Sequence, residues 1–284
     1  MANGKRLLFF DLLRIVSVAF ILIHHVAYNY QWRSFDAGIF TIFRLNFGVL
    51  GTYLLIFVSG AVLEYTYHNL SDWTDISEFY VKRLFRIYPA FWMSMLMGIL
   101  VSPALLSRPA FNTFLEFTGF TTWAGLWGGL INPCGWFVGL IVALYFFYPF
   151  LSSSIKKYPY LMLFLIAFTE IALRCVFLNI LVPGFAWGPD RWFPPCNFLE
   201  FGLGIWIVQQ NIYPNRGYDN RIIIFLAEIS FYVFLIHWIV GMPALMTASF
   251  PVYISVVGLL AWLMMLGDAE IQKQLKKVFR DNMS

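Results

Sequence analysis

Charge is scarce in this chain. Asp, Glu, Lys and Arg make up 12% of its 284 residues, where a soluble domain carries about 25%. That leaves too little polar surface to coat a water-exposed globule, so lipid must solvate much of the outside. Cysteine is also sparse. Cys134, Cys175 and Cys196 include no C-x-x-C pair, which argues against a zinc or redox site. No metal is expected. No basic run interleaves with aromatics on a soluble surface, and this argues against nucleic-acid binding. There is no internal repeat, no low-complexity tract and no stretch that reads as a soluble domain. A cleaved signal peptide is not expected either. The first apolar stretch carries Asp11 and Arg14 and lacks a small-residue cleavage site, so it reads as a retained membrane helix.

What the chain does have is apolar length. It is 60% apolar and 20% aromatic, with a mean hydropathy of +0.72. A bilayer crossing needs about 20 mostly apolar residues. Eight stretches meet this test: Leu7–Asn29, Leu45–Tyr65, Leu84–Leu106, Gly135–Ser154, Tyr158–Val182, Cys196–Tyr213, Ile222–Met246 and Pro251–Gly267. Arg108–Cys134 is aromatic and Gly-rich, and suits an interfacial or re-entrant segment or a further short span. With the N-terminus in the cytoplasm, thirteen of the nineteen Lys and Arg fall on that side and five on the other, Arg14 being counted in neither. The expectation is an all-α polytopic transmembrane bundle of about eight spans (eight to ten), with both termini cytoplasmic. Residues 1–284 form one integral-membrane domain, and 269–284 a basic cytoplasmic tail. Ala269–Arg280 suits a short basic helix lying on the anionic inner leaflet.

Charges inside spans are expensive, at least about 2.5–3.5 kcal/mol on insertion scales, so they mark cavities or partners. Candidates are Asp11, Arg14, His24, His25, Glu170, Arg174, Glu200, Glu228 and His237. Arg14 and His25 are eleven residues apart in the first stretch. On a helix this puts them about 20° apart around the axis and about 16 Å apart along it. They share a face at two depths, while His24 points about 80° away from Arg14. Asp11 lies one turn before Arg14 and can pair with it. This pattern suits the wall of a pore or tunnel. It suits equally a neutralised Asp11–Arg14 pair at the membrane edge with a histidine bonded to a neighbouring helix.

Arg83 and Arg86 share a face at the cytoplasmic start of the third stretch. There, two guanidinium forks suit a phosphate-bearing ligand or an ordinary positive-inside anchor. Glu170 and Arg174, one turn apart, are expected to neutralise each other, whereas Glu200 and Glu228 have no partner readable from sequence. His237 shares a face with Ser230, a pattern typical of helix packing. Cys134 and Cys196 fall toward the same outer face, which leaves a disulfide open.

Five ordered motifs in this chain resemble those of acyltransferase family 3, membrane enzymes that O-acylate surface glycans and related acceptors. Phe10-Asp-Leu-Leu-Arg14 followed by His25 is similar to the family's Asp-x-x-Arg start and its arginine–ten residues–histidine spacing. Tyr53-Leu-Leu-Ile-Phe-Val-Ser-Gly60 resembles its second-helix serine-glycine signature. Arg83-Leu-Phe-Arg86-Ile-Tyr-Pro89 resembles its Arg-x-x-Arg motif. Gly135-Trp136-Phe-Val, with Tyr145 and Pro149, is similar to its tryptophan-containing helix. Ile229-Ser230-Phe-Tyr232 with Leu235-Ile-His237-Trp238 resembles its late helix. Two features depart from the pattern. Ile141 stands where many members carry glutamate, and the chain has about eight spans against the usual ten, the shortfall lying at Pro214–Arg221.

The resemblance implies an enzyme of the plasma membrane with no permanently bound cofactor. Acetyl-CoA or another acyl-CoA is the expected co-substrate, and a sugar or glycan hydroxyl the acceptor. His25 is the expected catalytic residue, as general base or transient acyl carrier. Arg14, Arg83 and Arg86 are expected to bind the CoA, and Asp11, Trp136, Ser230, Tyr232 and His237 to line or support the cavity. The competing readings are a transporter or flippase for a glycan intermediate, and a non-catalytic scaffold keeping the fold.

Overall fold

The computed structural model describes residues 6–29, 46–68, 70, 72–103, 109–124, 131–177, 189–240 and 250–282. In chain order the α-helices are α1 (Leu8–Asn29), α2 (Phe47–Tyr67), α3 (Trp73–Val101), α4 (Ala110–Thr118), α5 (Gly135–Lys157), α6 (Pro159–Val176), α7 (Pro189–Trp192), α8 (Phe198–Gln209), α9 (Arg221–Val240) and α10 (Phe250–Asn282). Among the described residues the only β-pairing is an isolated bridge between Leu7 and Gly217. Seven of the helices are long and apolar enough to cross a membrane, all but α4, α7 and α8. The chain is therefore an all-α, multi-pass membrane bundle. Arg33, Arg44 and Arg108, counted to the outer face, lie outside the described residues, as does Lys5.

Local chemistry sets where the helices begin. The Asn46 side chain accepts the Val49 N–H at 2.8 Å to cap α2, and Asp72 accepts from Asp75 at 2.8 Å to cap α3. Pro159 starts α6 immediately after α5, because its missing N–H costs nothing in a first turn. α6 shows how the bundle meets lipid. Tyr160, Phe164, Phe168 and Ile171 form an exposed stripe at helical spacing, while Ile166 and Glu170 are buried on the opposite face.

The expected span Cys196–Tyr213 takes a different form. Its α-helix, α8, has 12 residues, about 18 Å at 1.5 Å per residue, so it cannot cover a hydrocarbon core of about 30 Å alone. It runs parallel to α2, and the two backbones touch. A Cβ on Gly60 would run into the carbonyl oxygen of Phe201, and one on Gly204 into that of Phe57. Leu199 N–H bonds Glu170 at one end of α8, and Gln209 bonds Glu64 at the other. Among the described residues seven helices, not eight, have the length of a span, and this stretch instead forms a short helix packed against α2, α5 and α6.

The segment before α5 dips back into the bundle. α4 ends at Gly119, whose φ of +80° is open to glycine at little cost. Tyr88 and Trp92 of α3 donate to the carbonyls of Thr118 and Phe117 at 3.0 and 2.9 Å. Backbone polar groups at this depth are satisfied by side chains, as lipid requires. Of the three forms expected for this segment, the described residues fit an interfacial or re-entrant one and not a further short span. With nine residues, α4 is too short for a span.

Two expectations are corrected. The basic stretch Ala269–Arg280 is not a separate helix, since it continues α10 without a break. Only Gly267 opposes helix at that junction, at about 1 kcal/mol. Cys134 and Cys196 form no disulfide, both being free and buried. The Cys134 thiol donates to the Phe234 carbonyl at 3.3 Å, and burial pushes its pKa up to about 12, so it stays protonated.

Candidate active site

Contacts between helices divide the polar residues into two ends. At one end lie the start of α1, the end of α2, the start of α3 and the last turns of α10. Asp11 is the hub beside α1. It accepts from Arg14 Nη1 at 2.9 Å, Arg6 Nε at 3.0 Å and the Tyr218 hydroxyl at 2.6 Å. Arg6 also reaches Glu228 at 2.5 Å. Burial opposes the Arg6 charge, but the two carboxylates outweigh it and raise its pKa. Burial and the bond to Asp11 push Tyr218 up to about 12. The connection Pro214–Arg221 is thereby pinned to the N-terminal segment, and Leu8 N–H bonds the Arg216 carbonyl at 3.2 Å.

Arg14 shares Asp11 with Arg6, so its charge is only partly answered. It lies deep among protein atoms, yet 27% of its side-chain surface stays accessible, and it senses Tyr145 and Arg86 electrostatically. The Asp11–Arg14 pair expected from sequence is present, and it leaves Arg14 open on its other side.

Arg83 and Arg86 engage different neighbours. Arg83 donates to the Tyr67 hydroxyl at 2.6 Å and lies over that ring at 4.8 Å. Its Nε is buried without a hydrogen-bond partner. Arg86 bonds Asp268 at 3.2 Å; Asp268 is wholly buried and also accepts from Tyr232 at 2.6 Å and from Gln272 at 3.2 Å. Tyr232 therefore belongs with the arginines and not with His25. Pro89 has no N–H to offer the Phe85 carbonyl, and Gln272 of α10 donates to that oxygen instead, at 2.7 Å.

His25 stands at the other end, partly buried. Its ring centroid lies 4.9 Å from His237, 4.4 Å from Trp238 and 5.0 Å from His24. His24 turns toward α2, where a Cβ on Gly48 would meet its ring. The two histidines therefore face different helices, as their angular separation predicts. His237 is 1% exposed, with Nδ1 at 2.7 Å from the Phe234 carbonyl and Nε2 unpartnered. Asn132 braces the same place. It donates to Ser94 at 2.7 Å and to the Leu235 carbonyl at 3.0 Å, and accepts from Cys134 N–H at 2.9 Å. Ser230 bonds its own helix at Ala227, 2.9 Å away. Trp136 packs on Phe137 in the first turn of α5.

A third buried cluster holds α6 to α2. Arg174 bonds Glu170 at 3.0 Å, Tyr53 at 2.8 Å and the Cys196 carbonyl. Its mutual neutralisation with Glu170 is as expected, and Glu200 lies 3.9 Å away.

The chain matches the acyltransferase domain of acyltransferase family 3 over residues 7–267. It belongs to that family. No curated protein and no solved structure matches it. The family makes this chain an enzyme that transfers acyl groups other than amino-acyl groups. The bundle now gives family-like motifs a physical content. Ser59-Gly60 marks the point where α8 crosses α2, and Pro89 frees a carbonyl for α10. Ile141, where many members carry glutamate, is buried in the apolar core and supplies no carboxylate. Asp268 and Glu64 of this acyltransferase are buried acids that were not among the sequence candidates. Asp268 anchors Arg86. Glu64 accepts from Tyr148 at 3.0 Å, Ser152 at 2.6 Å and Gln209 at 3.1 Å. Each interrupts or ends an apolar run, and that was the available signal.

Proposed function

We propose that this acyltransferase moves an acyl group, acetyl in the first instance, from cytoplasmic acyl-CoA to a hydroxyl of an extracytoplasmic sugar or cell-surface glycan, in the plasma membrane. One observation carries the reading: α1 bears Arg14 among cationic side chains at one end of the bundle and His25 beside His237 at the other. The two lie about 16 Å apart along one helix face, a separation that suits the pantetheine arm of CoA. Arg83, whose Nε has no hydrogen-bond partner among the described residues, offers a forked donor to the phosphates, while Arg86 is engaged by Asp268. His25 takes the proton of the acceptor hydroxyl as its oxygen attacks the thioester carbonyl. The C–S bond then breaks, and the sulfur leaves as the thiol with that proton. If the imidazole is acylated first, the same atoms balance over two steps.

The test is acyl transfer by protein in liposomes, with labelled acetyl-CoA on the arginine-rich side and a sugar acceptor on the other. His25→Ala should reduce transfer by about 10²-fold or more. Undiminished transfer in that variant would remove His25 from the chemistry. Glycan flux without thioester consumption would make the protein a transporter.

A further inference from the structure

Among the described residues His237 Nε2 is a buried polar atom with no hydrogen-bond partner, and such atoms in a folded protein call for a cause. The other ring nitrogen supplies the first half of the answer. Nδ1 lies 2.7 Å from the Phe234 carbonyl oxygen. An oxygen with only lone pairs to offer requires N–H at that distance, so Nδ1 carries the proton. A neutral imidazole then has its lone pair on Nε2. The backbone thus fixes the tautomer of His237 and leaves a buried acceptor, with the His25 ring 4.9 Å away between centroids.

We infer that His237 is a positioning residue for the acyl transfer: its Nε2 accepts the N–H of His25 and so leaves the other His25 nitrogen unprotonated toward the acceptor hydroxyl. Two neighbours then constrain His25. Trp238 packs against it edge-on, 4.4 Å between centroids at 77°, and sets the ring plane. His237 sets which nitrogen holds the proton. The bond is open without substrate and tightens on binding, as contacts of this kind do. The chain Phe234 carbonyl, His237, His25 orients a base as a buried carboxylate does elsewhere, but with no negative charge, which suits an apolar site. Asn132 and Cys134 hold α9 in register at Leu235 and Phe234. The inference rests on His25 being the base.

The chain has four histidines, so nitrogen-15 histidine labelling of the whole protein in detergent resolves each tautomer. The expected wild-type spectrum shows neutral His237 protonated at Nδ1 and His25 in a single tautomer. His237→Asn keeps a donor for Phe234 but removes the acceptor. It should leave His25 mixed between tautomers and lower kcat at least about tenfold, with KM for acetyl-CoA within about twofold. The loss is smaller than the ~10⁴ seen where a charged orienter is removed. His237→Gln, which can place an oxygen near the Nε2 position, should recover part of kcat. A wild-type His237 protonated at Nε2 overturns the inference, whether or not any variant folds. So does a His237→Asn enzyme with His25 still in one tautomer and kcat within about twofold. Full activity in His25→Ala, with the tautomers as expected, would instead reject the base assignment and keep the imidazole pair.

Discussion

Arg83 and Arg86 sit on one helix face, yet they hold unlike positions. Arg83 meets only the hydroxyl and ring of Tyr67 and has no carboxylate partner among the described residues. On the proposed acyl-CoA reading, its charge is the one left for a phosphate. Arg83→Ala should weaken acyl-CoA binding by about 10- to 100-fold, the weight of one or two charge-assisted bonds, with thermal stability little changed. Arg86 is half exposed and answers the wholly buried Asp268. Arg86→Ala should therefore destabilise the fold by about 1–3 kcal/mol, less than a fully buried pair costs. The added change Asp268→Asn should restore much of that loss. Calorimetry and acyl-CoA titration of the three variants separate the two roles, and equal effects of both single changes would contradict the division. The sequence already contained the shared face of Arg14 and His25, since eleven residues at 100° each fix it. It did not contain the meeting of His25 with His237. These residues are 212 positions apart, and no local periodicity says which helices become neighbours. The role of Asp268 was hidden for a related reason: it stands just beyond an apolar run, where a carboxylate also suits solvent.

At the scale of the helix, close approach decides what the motifs mean. The eighteen-residue run Cys196–Tyr213 has the length and apolarity of a span. Pro194 and Pro195 tighten its start into a 3-10 turn, and the helix stops at Gln209, so 12 residues remain for α8. So short a helix is held by backbone contact with α2, and Gly60 and Gly204 make that contact possible. Small residues serve this purpose in membranes, where no hydrophobic force distinguishes a neighbouring helix from lipid. Gly60→Val would drive a side chain into the Phe201 carbonyl, a rigid obstacle. The expected cost is about 3 kcal/mol or more, at the upper end of overpacking in a core. Thermal unfolding in detergent measures it. A melting temperature within a degree or two of wild type would show that α8 is free to move away. Ser59→Ala is the control and should be nearly silent.

The seven spanning helices and the short α8 set where the charges of the whole molecule lie. Contacts between Tyr218 and Asp11, and between Arg86 and Asp268, bring the start of α1, the Pro214–Arg221 connection and the basic end of α10 to one end of the bundle. Lys156, Lys157, Lys273 and Lys277 fall at that end too. α10 has 33 residues and is about 50 Å long, well beyond a hydrocarbon core of about 30 Å. It is therefore long enough for its last turns to carry Lys273, Lys276 and Lys277 beyond the hydrocarbon core, and on a cytoplasmic leaflet each basic residue would gain about 1 kcal/mol from anionic lipid. If α8 counts as a pass, the number is even and the basic end predicts that both chain ends face the cytoplasm. The prediction uses three single cysteines in a background with Cys175→Ser; the remaining two thiols are buried. A membrane-impermeant maleimide on intact cells should label Ala110→Cys, at the first residue of α4. It should reach Asp219→Cys and Lys277→Cys only after permeabilisation. The reverse pattern would invert the enzyme, with the arginines facing away from the acyl-CoA pool and the proposed direction of transfer lost. The same outcome at all three positions would mean an odd number of passes, and α8 would then be a helix that enters the membrane without crossing it.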